Sequence, residues 1–126
     1  MSLDKKHILL VEDDTMLSSL LASSLEKEGY EVAVANNGEE AVSAIEAKGF
    51  SIIVLDLIMP KMDGFEFLEA LVKNKGENAP PAIVLSNLAQ DVDVSKTEAL
   101  GVVKHIVKTE VSIKQIIEEI QAVIGS

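Results

Sequence analysis

Five short apolar runs punctuate the chain, from His7 to Val11, Glu31 to Ala35, Ser51 to Leu55, Ala82 to Leu85 and Val102 to Val107. Each is of strand length and rich in β-branched residues, the composition of a buried strand. Between them the apolar positions change to helical spacing: Leu17, Leu20, Leu21 and Leu25 after the first run, Phe65, Leu68, Leu71 and Val72 after the third. Ile113, Ile116, Ile117, Ile120 and Ile124 then share one face of a final amphipathic helix. Capping boxes are expected from Asn37 with Glu40 and from Ser112 with Gln115, and Gly29, Gly49, Gly76 and Gly101 stand where helices should stop. The weakest helix is the fourth, from Ala89 to Leu100, where Asp91, Asp93, Ser95 and Thr97 leave a thin apolar face, and this segment is expected to be mobile. The alternation is β-α repeated five times. Strands that are apolar throughout are buried on both faces, so a parallel sheet covered by helices is expected, with right-handed crossovers.

Composition narrows the classes. At 126 residues and 48% hydrophobic content the chain closes one core, so residues 1–126 are read as one domain, with the ordered fold at about 5–124 and Met1 to Leu3 set aside as a remnant of cloning. Lys and Arg number 11 against 21 Asp and Glu, a net charge of −10, which argues against a general nucleic-acid or anionic-membrane surface. Without cysteine there is no disulfide, thiolate metal site or cysteine nucleophile. Charges interrupt every apolar stretch well short of the roughly 18 residues a membrane span needs, and the N-terminus lacks a signal-peptide pattern, so a soluble cytoplasmic location is expected.

Ligands of open parallel sheets bind beyond the carboxyl ends of the strands. Glu12, Asp13 and Asp14 follow the first run, Asp56 the third, Ser86 and Asn87 the fourth, and Lys108 the fifth. With the first and third strands adjacent, Glu12, Asp13 and Asp56 converge. Three such carboxylates repel one another and must take up a proton or a cation, and an all-oxygen set favours Mg²⁺ or Mn²⁺. One carboxylate could then serve as nucleophile toward a phosphoryl group, with Lys108 and the Ser86 hydroxyl on the phosphoryl oxygens. Asp56 is the choice, because a carboxylate between Ile52 to Leu55 and Leu57 to Met59 is costly to bury without a role. Blander readings suit other positions: Asp14 and Asp63-Gly64 as helix caps, and His105 as an exposed strand residue.

These motifs resemble the receiver domain of two-component response regulators over nearly the whole chain. Ile8 to Asp14, I-L-L-V-E-D-D, is similar to the family's first strand and acidic pair, and Ile53 to Gly64, I-V-L-D-L-I-M-P-K-M-D-G, to its phosphorylation segment. Ser86 falls at the hydroxyl switch position and Lys108 at the family's lysine. The resemblance implies a flavodoxin-like (βα)5 doubly wound sheet of strand order 2-1-3-4-5 and phosphorylation at Asp56. It implies Mg²⁺ held by Asp13, Asp56 and the backbone carbonyl of Ile58, with Glu12 through water. It also implies a phosphohistidine donor on a sensor histidine kinase or histidine phosphotransfer protein, and an output surface of helix 4, strand 5 and helix 5. The downstream target is left unnamed, direct nucleic-acid contact is not expected, and homodimerisation on phosphorylation is left open.

Two departures bear on the switch. Thr109 stands where the family usually has proline after the lysine, so no cis peptide bond is expected there. His105 replaces the usual switch aromatic, which implies a shallower or differently read-out change. Ile58 and Leu88 stand at positions that in the family border the phosphoryl group; both are apolar here, and the resemblance then implies a long-lived phospho-form. A haloacid-dehalogenase-type phosphatase would want an aspartate where Ile58 stands, and a flavodoxin would want a hydroxyl- and glycine-rich loop in place of Glu12-Asp13-Asp14. A receiver-like interaction module that works without phosphorylation is the third alternative.

Overall fold

The computed structural model describes residues 6–57, 63–86 and 94–125. Its elements alternate as expected: β1 (His7–Val11), α1 (Thr15–Lys27), β2 (Glu31–Ala35), α2 (Gly38–Ala47), β3 (Ile52–Asp56), α3 (Gly64–Lys75), β4 (Ala82–Ser86), α4 (Val94–Ala99), β5 (Val102–Val107) and α5 (Ile113–Ile124). All strand pairs are parallel, in the order β2-β1-β3-β4-β5. The three strands β1, β2 and β5 keep their expected bounds. β3 begins and ends one residue later than expected and β4 runs one residue further, because Asp56 still pairs with Leu85 and Ser86 with Val107.

The sheet divides the core into two layers. Leu9, Val11, Ile53, Leu55 and Val84 pack with Ala41 and Ile45 of α2 and Phe67, Leu68 and Leu71 of α3. On the other face Ile8, Leu10, Ile52, Val54, Ile83 and Leu85 meet Leu21 and Leu25 of α1 and Ile116 and Ile120 of α5. From Ile8 to Val11 and from Ile52 to Leu55, β1 and β3 are therefore apolar on both sides, and polar side chains follow at their carboxyl ends with Glu12 and Asp56.

Local signals settle the boundaries. Asp14 caps α1, accepting from the Met16 and Leu17 amides at 3.0 and 3.2 Å. Asp63 with Glu66 and Ser112 with Gln115 form full capping boxes at α3 and α5. The box expected of Asn37 and Glu40 is only half made: Asn37 accepts from the Glu40 amide, but the Glu40 carboxylate takes the Asn36 amide at 2.9 Å instead. Gly29 follows α1 with a φ of 98°, where a side chain would be strained. Gly49 has no such role, since α2 closes on Lys48 in an extended conformation. The helix expected from 89 to 100 is described as Val94–Ala99, and residues 89–93 lie outside the described residues.

Two further features shape the edges of the sheet. Between β4 and β5 the register slips, with Ala82 opposite Val102 and Ile83 opposite Lys104, so Val103 is an extra residue and β5 alternates anew from there. At the edge where the strands begin, the Lys6 ammonium donates to the Ile124 carbonyl, bringing the start of β1 to the end of α5.

Candidate functional site

Because β1 and β3 are adjacent and in register, with Val11 opposite Leu55, the residues after Val11 and at the end of β3 share one edge of the sheet. There Glu12, Asp13 and Asp56 bring one carboxylate oxygen each to within 4.8 Å of one another. Glu12 is 3% and Asp56 6% exposed, whereas Asp13 is open to solvent. Lys108, on the single 3-10 turn that follows β5, crosses to this edge: its Nζ is 2.5 Å from Glu12 Oε1 and 3.0 Å from Asp56 Oδ2. The peptide after Lys108 is trans, as Thr109 led one to expect, and the lysine still reaches both acids.

Three acids around one ammonium leave the cluster negative. Glu12 carries much of the strain. Burial raises its carboxyl above the ordinary value, against the lowering effects of Lys108 and of the Asp14 amide, which donates to Oε2 at 3.1 Å; Asp56 pushes it up further. Burial alone would lower Lys108, but its hydrogen bonds and charge attraction to Glu12 and Asp56 outweigh that and hold it above its ordinary value. A partly buried, oxygen-only donor set with excess negative charge fits a hard divalent cation such as Mg²⁺.

The remaining expected residues divide. Ser86 ends β4 opposite Val107, one residue before Lys108, but its side chain lies outside the described residues, as do Ile58, Asn87 and Leu88. Asp14 is a cap, as expected. His105 is corrected: it is half-buried rather than exposed, with Nε2 2.9 Å from the hydroxyl of Thr97 on α4. The register slip at Val103 turns it toward that helix. Nothing in the sequence flagged Thr97, a polar residue in the least helical segment. Gly64 was read only as part of a turn and helix cap, yet it brings α3 hard against the end of β3: its amide donates to the Leu57 carbonyl at 2.9 Å, and a Cβ there would lie 2.6 Å from Leu57 Cα.

Residues 8–121 match the response regulator receiver domain. The chain belongs to the response regulator receiver family. Relatives include a transcriptional regulatory protein, YkoG, of Bacillus subtilis, 35% identical over 79% of this chain and 42% of its own length. A probable transcriptional regulator, ycf27, of Cyanophora paradoxa is 35% identical over 86% of this chain and 44% of its own length. The receiver thus spans less than half of these relatives. Among solved structures, the chemotaxis protein CheY4 of Vibrio cholerae superposes with a TM-score of 0.85 at 26% identity, covering 95% of this chain and 99% of that one. The response regulator TrrA of Thermotoga maritima, in complex with Mg²⁺ and BeF, gives 0.80 at 27% identity, covering 94% and 98%.

Proposed function

We propose that this receiver is a phosphorylation switch, with Asp56 as the acceptor. The observation that carries the reading is the ammonium of Lys108 set 3.0 Å from Asp56 in a cleft that also holds Glu12 and Asp13. The likeness to TrrA, which binds Mg²⁺ and BeF, supports it. An Asp56 carboxylate oxygen attacks phosphorus of a phosphohistidine, the P–N bond breaks, and the imidazole leaves and regains a proton. Asp13, Asp56 and the Ile58 carbonyl would hold Mg²⁺ directly, with Glu12 through water and Mn²⁺ as a substitute. Bound there, the ion supplies neutralisation of charge on the phosphoryl oxygens. Lys108 gives up its contact with the Asp56 carboxylate for a phosphoryl oxygen, and the Ser86 hydroxyl donates to another. The phosphoryl group carries about −1.5 to −2 charges in place of the single charge of the Asp56 carboxylate to which it is attached, so the acidic cleft becomes more negative and the resting ion pairs must rearrange.

The donor on this reading is a sensor histidine kinase or a histidine phosphotransfer protein in the cytoplasm. Residues 1–126 act as one receiver domain that does not turn over a substrate, and the output passes through the surface of α4, β5 and α5. The relatives named as transcriptional regulators suggest a DNA-binding effector downstream, reached through a partner or an attached segment rather than by this domain. Ile58 and Leu88, apolar at the positions that in the family border the phosphoryl group, would make the phospho-form long-lived.

Incubation with Mg²⁺ and acetyl phosphate, followed by intact mass measurement, tests the core of this. One added phosphate is expected on the wild type and none on Asp56→Asn. A wild type that stays unmodified would instead mark an interaction module, and continuous release of phosphate from many esters a phosphatase.

A further inference from the structure

Thr97 is 0% exposed, more deeply enclosed than Glu12, Asp56, Ser18 or Asn37. It lies on α4, and among the described side chains of that helix, residues 97–99, it is the buried one and carries a hydroxyl group. The other helices meet the sheet with apolar side chains: Leu21 and Leu25 from α1, Ile45 from α2, Phe67 and Leu71 from α3, Ile116 and Ile120 from α5. Past Thr97, Glu98 and Ala99 are exposed, and Leu100, just beyond the helix, is only partly buried against the core. The bond from Thr97 Oγ1 to His105 Nε2, 2.9 Å long, is thus a principal tie between the described part of α4 and β5.

A hydrogen bond and an apolar anchor hold differently. A net intramolecular hydrogen bond shifts an equilibrium by about fivefold, against roughly tenfold to a hundredfold for a fully buried Leu or Ile. The polar tie is also the more discrete, since its strength depends on the distance and angle between hydroxyl and imidazole nitrogen, whereas apolar contact is non-directional. His105 stands three residues before Lys108 on the same strand end, so any shift of Lys108 away from Asp56 acts on the strand that carries His105.

We propose that the Thr97–His105 hydrogen bond is a latch that keeps α4 docked on β5 in the unphosphorylated domain and must open for the domain to respond, an inference that rests on the phosphorylation reading above. It gives His105 a role other than that of a swinging ring: it is a positioning residue, and the barrier it sets lies in its bond to α4.

Three variants of the full chain isolate the bond. Thr97→Val keeps the shape and loses the hydroxyl, Thr97→Ser keeps the hydroxyl, and His105→Leu removes the other partner. Amide hydrogen exchange, measured without phosphoryl donor, is expected to rise about fivefold in α4 for Thr97→Val and for His105→Leu, and no further in the double variant. Thr97→Ser should restore most of the protection. With the latch gone, affinity for beryllofluoride in the presence of Mg²⁺ should tighten by about the same factor for Thr97→Val but not Thr97→Ser. A packing defect would instead weaken binding or leave it unchanged. Equal exchange in wild type and Thr97→Val, Thr97→Ser behaving as Thr97→Val, or unaltered beryllofluoride affinity would each overturn the latch. A wild type that ignores beryllofluoride defeats the phosphorylation reading, and with it the latch's part in any response. In that case the exchange contrast still decides whether the bond holds α4.

Discussion

Glu12 meets three neighbours at once: Lys108 on one oxygen, the Asp14 amide on the other, and Asp56 across the cleft. Its raised pKa carries a stability consequence with a definite sign. A carboxyl that binds its proton more tightly in the folded state stabilises the fold while protonated. It loses that contribution as pH climbs from its ordinary value of 4.5 through the raised one. Lys108, also raised, contributes below its ordinary 10.5 and fails only above it, outside that window. Urea unfolding of metal-free wild type and Glu12→Gln between about pH 4.5 and pH 7 should therefore show the wild type losing ground to the variant as pH rises, at no more than about 1.4 kcal/mol per pH unit. Parallel curves for the two proteins would remove Glu12 as the source. At this scale Asp56, Glu12 and Asp13 were legible because an acid directly after an apolar run is costly to bury unless a cation or a ligand meets it. His105 was not, since its exposure depends on a bulge and on a helix partner that alternation along one strand does not reveal.

The junction between β3 and α3 shows how one element fixes the next. The capping box of Asp63 starts α3 while the Gly64 amide is bonded to Leu57, so the helix begins in contact with the chain that leaves Asp56. A Cβ on Gly64 would meet Leu57 Cα at 2.6 Å and the Asp56 carbonyl at 3.0 Å, both backbone atoms that cannot swing aside. Gly64→Ala is expected to destabilise the domain by about 1–3 kcal/mol and to slow modification of Asp56, because the relief must come from the acceptor's own strand. Denaturant titration and the acetyl phosphate assay read the two effects, and a variant as stable as wild type would show that α3 can shift freely. Asp-Gly spelled a cap in the sequence, but the close approach comes from the return of α3 across the sheet, which no local pattern records. The half-made box at Asn37 has a similar origin: the Glu40 carboxylate is taken by the amide of Asn36, one residue upstream of the cap.

For the molecule as a whole, the parallel sheet covered by helices was legible in the alternation of strand-length apolar runs with helical stretches, the central runs being nearly all apolar, whereas the strand order came with the family resemblance. The resulting polarity puts Glu12, Asp13, Asp56 and Lys108 at the edge where strands end, whereas Lys6 and Ile124 meet at the edge where they begin. The domain can accordingly be treated as a closed ring whose opening point is a free choice. Joining Ser126 to Met1 through a short Gly/Ser linker and opening the chain at Gly49, where no atom comes within 4 Å of a built Cβ, leaves the acidic edge untouched. Such a permutant should unfold cooperatively and, on the phosphorylation reading, gain the same stability from Mg²⁺ as the parent chain gains in a parallel titration. Loss of that stabilisation in a folded permutant would show that the two edges are coupled. If they are not, a sensor or reporter module could be spliced in at the base of the sheet without disturbing the chemistry at its top.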